Sequence, residues 1–264
     1  MRKIGWFIAA FSIAASGCAS SQPTGEQARQ ALAPNGQMRV AFLAGPLYAT
    51  NDASSGEFRG VAIDLGRSLA ARYGLAMQPV VYPNPGAIVS GAKAGEWDVA
   101  LMGVSAERAT AVDFSAPYME VEQGYLVRAG VPITMAAEID RSGVRIGVLE
   151  KAGADMLLSS TLKNATLVRA KSMADLEALL KSGNADAIAA TKAFLFGRVA
   201  SQPGARVLEG NILLEPIAMA VPKGRDPAAA SAVAGFVEEA KRSGLVKSAI
   251  ENAGLQGVVV APLK

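Results

Sequence analysis

The sequence contains no histidine and only one cysteine among its 264 residues. Without histidine there can be no Ser-His-Asp triad, no Cys-His nucleophile pair and no histidine-ligated metal centre. A lone cysteine, Cys18, forms no internal disulfide. Charge is also sparse: charged residues make up 19% of the chain, and the formal net charge is +3. Two of the positive charges, Arg2 and Lys3, fall in a segment that reads as a cleaved leader, so the mature chain is close to neutral. Such a chain offers no basic surface for nucleic acid. No cofactor and no metal are expected.

What the sequence does have is apolar content. Hydrophobic residues reach 51%, enough to pack one large domain or two modest lobes. The N-terminus reads as a targeting signal over residues 1–17, with Arg2 and Lys3 as its charged region and Ile4 to Ala15 as its apolar core. It ends in Ala15-Ser16-Gly17-Cys18, which looks like a bacterial lipoprotein cleavage box with Cys18 as the lipidated residue, although Ala15 stands where leucine is usual. The alternative is ordinary signal cleavage that leaves an inert cysteine. Residues 18–36, rich in Ser, Gln, Pro, Thr and Gly, read as a tether, with a short helical possibility at Glu26 to Leu32.

The rest of the chain is organised around residues 91–118. A helix stops at Gly95, a residue able to take the left-handed conformation that closes a helix. Asp98 then opens the unalternating apolar run Val99-Ala100-Leu101-Met102, the pattern of a strand buried on both faces of a parallel sheet. Gly103, Ser105 and Arg108 follow at the carboxyl end of that strand, where open α/β sheets bind ligands. Together they offer backbone N–H groups, a hydroxyl and a guanidinium, a set suited to gripping a carboxylate.

These residues carry a resemblance. Asp98-Val-Ala, the glycine after the strand, Glu107-Arg108 and Asp113-Phe-Ser-Ala-Pro-Tyr118 resemble, in order and spacing, the signature of the family 3 extracellular solute-binding proteins. These are the polar amino-acid-type receptors of bacterial ABC importers, and the similarity runs from about Met38 to the C-terminus. It implies the type II periplasmic binding fold: two α/β lobes, each a mostly parallel sheet flanked by helices, joined by a two-segment hinge. A monomeric, lipid-anchored receptor in the periplasm or cell envelope is implied, with a small solute and an ABC permease as its partners.

The pattern along the chain agrees with two related lobes. Strands at Arg39 to Leu43, Met77 to Tyr82 and Asp98 to Met102 alternate with helices starting at Asp64 and after Pro85, an order that implies parallel strands and right-handed crossovers. Asn51 to Gly60 reads as a polar loop or hairpin. Gly124 to Arg128 reads as a strand at the first crossing. Strands at Val144 to Leu149, Thr166 to Ala170 and Ala185 to Ala190 then build a second unit with helices at Asp155 to Leu162, after Ser172, and at Lys192 to Val199. Ile212 to Val221 returns the chain, and helix Pro227 to Arg242 packs on the first lobe. The expected division is 37–126 with 218–264 as lobe 1 and 127–217 as lobe 2. A hinge beside a cleft is the arrangement that closes on a ligand.

Arg108 is the leading candidate to hold a ligand carboxylate, because a guanidinium donates two parallel hydrogen bonds; alone it could equally be a solvated arginine. Met102, Gly103 and Ser105 line the same pocket or serve only the turn after the strand. The loop before Arg108 looks shorter than in the usual amino-acid binder, and the threonine that commonly precedes the Glu-Arg pair is missing. Tyr48 resembles the aromatic that stacks on ligands, or is a rim or core aromatic. Many amino-acid receptors carry an aspartate after the buried strand of lobe 2 to hold the ligand's ammonium; here that position is Thr191, and a hydroxyl cannot neutralise a buried ammonium. Either the ligand lacks a free α-amino group or another acid serves, Glu150 being the nearest. Lys151, at a helix start, holds a second anionic group or is a solvated charge. On this reading the ligand carries more negative than positive charge. The alternative function is an enzyme on the same fold, resembling the periplasmic cyclohexadienyl dehydratases, with Glu150 as its general acid.

Overall fold

The computed structural model describes residues 24–264. Cys18 and the leader lie outside the described residues. The chain starts with helix α1 (Gly25–Leu32), capped by a reciprocal Thr24–Gln27 box. It continues with β1 (Gln37–Leu43), the short hairpin β2 (Thr50–Asn51) and β3 (Phe58–Arg59), α2 (Val61–Arg72), β4 (Ala76–Tyr82), α3 (Pro85–Ala94) and β5 (Val99–Gly103). The long β6 (Val112–Val127) leads into β7 (Arg145–Leu149), α4 (Gly153–Thr161), β8 (Thr166–Ala170), α5 (Met173–Lys181), β9 (Ala187–Thr191) and α6 (Lys192–Val199). Then come β10 (Arg206–Val207), β11 (Leu213–Pro222), α7 (Pro227–Arg242), α8 (Leu245–Asn252) and β12 (Val258–Val260).

Strands β4, β1, β5, β11, β6, β9, β7 and β8 lie side by side in that order, and β10 and β12 add to β6. Within each half the pairs are parallel: β1 lies between β4 and β5, and β7 lies between β8 and β9. Between the halves run β6 and β11, antiparallel to each other and to their neighbours. The cores divide the same way. Phe42, Leu69, Leu101, Tyr118 and Phe236 belong to one buried cluster on the first side, and Tyr125, Ile146 and Leu158 to another on the second. This is a two-lobed α/β molecule in which two strands carry the chain across.

Three local expectations change. The helix expected at Glu26 to Leu32 forms but is not part of a tether: Ala28, Ala31 and Leu32 repeat at helical spacing and enter the first-lobe core, with α1 packed on α7. The first crossing is not a short strand at Gly124 to Arg128 but the 16-residue β6, which absorbs the Asp113–Tyr118 motif. A strand that long persists because it is paired along its length, first with β11 and then with β9. Helix α2 begins at Val61 rather than Asp64, since Val61, Ala62 and Ile63 are all buried and Gly60 takes a positive φ before them. Among the described residues no helix is long and apolar enough to cross a membrane.

Candidate functional site

The same device sets the site-bearing strand in each lobe. In lobe 1, α3 ends at Gly95 in the left-handed conformation, and Asp98 opens β5. Asp98 accepts from the backbone N and Nε of Arg39 at 2.9 and 3.0 Å and from its Nη2 at 2.9 Å, while Arg39 Nη1 donates to the Gly95 carbonyl. In lobe 2, Gly183, also at positive φ, follows α5, and Asp186 precedes β9. Asp186 accepts from the N, Nε and Nη2 of Arg145 at 2.9, 3.1 and 2.8 Å, and Arg145 Nη2 donates to the Gly183 carbonyl. Each aspartate meets a second arginine as well: Arg225 at 2.5 Å from Asp98, and Arg128 at 3.6 Å from Asp186. These clasps tie helix end to strand start, so both strands deliver their carboxyl ends to the line where the lobes meet.

At that line, Arg108 starts a short 3₁₀ turn held by Ser105, whose Oγ accepts from the Arg108 backbone N at 3.2 Å. The guanidinium is buried, with only 4% of the residue exposed. Its Nη1 donates to the Gly103 carbonyl of lobe 1 at 2.6 Å, and its Nη2 to the Lys151 carbonyl of lobe 2 at 2.7 Å. Lys151 holds φ at 61°, an uncommon conformation for a residue with a side chain, and Asp155 accepts from its backbone N. Arg108 therefore fastens one lobe to the other.

Its charge is met by Glu215, on β11, with Oε1 3.5 Å from Arg108 Nη1. Glu215 is 7% exposed and accepts a hydrogen bond from Gln123 Nε2 on β6. The carboxylate is seated between two glycines, one from each lobe. A side-chain carbon on Gly103 would collide with it, and one on Gly153 would come within 2.7 Å. Gly153 is the first residue of α4, whose N-terminus has no side-chain cap, so the carboxylate also lies at the positive end of that helix. Burial pushes the Glu215 carboxyl above the usual glutamate range; Arg108 and Gln123 oppose the shift without cancelling it.

Beside this pair lies a cavity of about 70 Å³ between the lobes. Tyr48, Met102, Gly103, Arg108 and Thr191 line it, together with Glu215, Gln123 and a wall of apolar side chains. Tyr48 is buried, and burial raises its phenol above the usual range. Thr191 also caps α6, accepting from the Phe194 backbone N at 3.4 Å. Three candidates stand outside the cavity. Ser105 is occupied with its turn. Glu150 faces the grooves outside, and Lys151 points outward to an exposed pair with Glu107 at 3.5 Å, because the left-handed turn at Lys151 brings its carbonyl inward and its side chain out.

Glu215 was not read from the sequence. The signal was nonetheless present: a single acid within the apolar run Ile212 to Val221, at the place where a crossing between lobes was expected. A lone carboxylate in such a run needs a buried cation nearby.

Comparison with known proteins agrees with this architecture. Residues 38–252 match the bacterial extracellular solute-binding proteins, family 3. The ABC transporter glutamine-binding protein GlnH of Bacillus subtilis (strain 168) is 25% identical over 190 residues, covering 68% of this chain and 67% of that protein. Among solved structures, a solute receptor for L-cysteine of Neisseria gonorrhoeae superposes with a TM-score of 0.75 at 25% identity, covering 86% of this chain and 93% of that one. A mutant of ArgBP from T. maritima gives 0.75 at 24%, covering 86% and 99%. The ancestral amino acid-binding protein AncCDT-1, a precursor of cyclohexadienyl dehydratase, gives 0.72 at 22%, covering 85% and 97%, a likeness of fold. With the match spanning most of its length, the chain belongs to the family 3 bacterial extracellular solute-binding proteins.

Proposed function

We propose that this protein is the solute-capturing component of an ABC importer. It shuts its lobes on a small carboxylate-bearing solute, an amino acid or related organic anion, and delivers it to a permease without chemical change. The observation that carries this reading is Arg108: a buried guanidinium at the lobe junction, bonded to a carbonyl from each side. A solute carboxylate that takes over those donors binds the shut arrangement better than the open one. Closure requires only that difference in affinity. The leader directs the chain to the periplasm or envelope, and lipid on Cys18 anchors the monomer to the membrane.

A thermal-shift screen of amino acids, dicarboxylates and other small organic anions tests the reading. A solute at a hundredfold over its dissociation constant adds about 2.7 kcal/mol. Because Arg108 is buried and paired, Arg108→Ala alone also lowers the unliganded melting point. The double variant Arg108→Met with Glu215→Gln removes both charges, so it isolates the loss of binding from the cost of a stranded ion. Retained solute binding in the double variant refutes the role of Arg108. Incorporation of labelled fatty acid, abolished by Cys18→Ala, tests the anchor. The enzymatic alternative is less favoured, since Glu150 lines a neighbouring groove beside Arg108 and not the cavity beside Glu215. Turnover of prephenate would restore that alternative.

A further inference from the structure

The lobe-2 strand offers Thr191 where an acid for an ammonium group was sought, yet the cavity does hold one carboxylate and one guanidinium among its lining residues, Glu215 and Arg108. We propose that Glu215, on the hinge strand, is the residue that reads the solute's ammonium group, so that the cleft selects a zwitterionic α-amino acid with a compact apolar side chain. The inference rests on the reading that Arg108 receives the carboxylate.

The argument is one of exchange. Within the pair each charge answers the other, and both are out of water. A carboxylate that takes Arg108 for itself leaves Glu215 buried without its cation, which is costly. A simple carboxylic acid therefore gains little. A zwitterion brings a carboxylate to Arg108 and an ammonium to Glu215 in the same step, and the cleft stays neutral throughout. Glu215 has room for that partner: an ionised carboxylate accepts at about four positions, and Gln123 and Arg108 are the contacts it makes here.

The two glycines explain why such a large acid fits. Side chains at Gly103 or Gly153 would fill the seat of its carboxylate, so both lobes are cut away around it. The apolar part of the wall includes Leu43, Met102, Leu149, Met173 and Phe194. A charged solute side chain has no counterion there, whereas a small aliphatic or thioether group replaces water against apolar surface.

Titration calorimetry with the twenty standard L-amino acids, 3-methylbutanoate (valine without its amino group) and isobutylamine (valine without its carboxyl) tests this. The expected result is that L-valine or L-methionine binds, that 3-methylbutanoate binds at least a hundredfold more weakly than L-valine, and that L-lysine and L-glutamate do not compete. Glu215→Gln, which keeps the shape, should weaken L-valine at least tenfold and leave 3-methylbutanoate unchanged or tighter. Equal binding of L-valine and 3-methylbutanoate to the wild type overturns the role of Glu215 while leaving that of Arg108. Equal binding of L-valine and isobutylamine does the reverse. A Glu215→Gln protein that keeps the wild-type preference overturns the proposal even if the panel is otherwise as expected, and failure of every amino acid to bind overturns it while leaving the role of Arg108 if 3-methylbutanoate or another organic anion binds.

Discussion

The two lobes use one clasp and finish it differently. Asp98 and Asp186 each open a buried strand, each is gripped by the arginine of the neighbouring parallel strand, and each lies just past a left-handed glycine that ends a helix. At the fifth residue after the aspartate they part: lobe 1 has Gly103, which leaves space for the Glu215 carboxylate, and lobe 2 has Thr191, which caps α6. The repeated part is structural and the divergent position faces the cavity. A side chain's distance along the strand from its clasp thus separates scaffold from site.

Changing the divergent positions in each lobe should expose that asymmetry. Gly103→Ala forces a side-chain carbon into Glu215 and to within 2.7 Å of Arg108 Nη1. The lobes can then no longer shut around the pair, and solute binding should be lost outright, as read by calorimetry. Thr191→Ala at the matching place removes a cap and a cavity-lining hydroxyl without filling the cleft, and should cost about 1 kcal/mol of stability.

Next in size are the clasps themselves. The Asp98 side chain is 1% exposed and that of Asp186 is 16% exposed. Asp98→Asn strands two arginines at a buried site and should cost about 3 kcal/mol, whereas Asp186→Asn, nearer to solvent, should cost about 1 kcal/mol. Denaturant unfolding of the two variants side by side measures the difference, and equal losses would show that burial does not set it.

Acid titration gives a smaller contrast of sign. Burial opposes ionisation of Asp98, but the hydrogen bonds from Arg39 and Arg225 prevail and hold its carboxyl below the usual range; Arg145 does the same for Asp186. Their stabilisation is present above the unfolded aspartate value of about 3.9 and is lost as pH falls through the lower folded values. Glu215 runs the other way: its raised folded value gives a contribution that is complete below the unfolded glutamate value of about 4.3 and disappears as pH rises through the folded one. Melting temperature should therefore climb as the protein is taken from neutral to mildly acidic solution, then drop below about pH 4. Glu215→Gln should lack the climb and keep the drop.

Much of this architecture was legible because it rests on local chemistry. Gly95 and Asp98 announce a helix end and a buried strand, and Pro227 to Arg242 shows its apolar face at helical spacing. Between Gly95 and Asp98, Trp97 is fully buried, its Nε1 donating to the Ile88 carbonyl at 2.8 Å. Arg108 was found through its motif. What could not be read is set by long-range contact. Glu215 meets Arg108 across more than a hundred residues of chain, and nothing in its neighbours names that partner. The inward-facing carbonyl of Lys151 could not be read either, because its backbone turns over, which depends on where Arg108 and Asp155 sit. The docking of α1 depends likewise on α7, almost the whole sequence away.

The β6–β11 ribbon carries a last consequence. Its ladder is continuous except between Ile217 and Ala220, where the register slips twice. Such irregularities bend and twist a strand locally, and here they fall where β11 enters the first-lobe sheet, Ile217 pairing with Gly103 and Ala218 with Met102 of β5. Glu215 sits just before the first slip, where β11 has left the cover of β5 and pairs with Val121 of β6. Because its carboxylate fits against Gly103 of one lobe and Gly153 of the other at once, any movement that parts the lobes must separate it from one of the two.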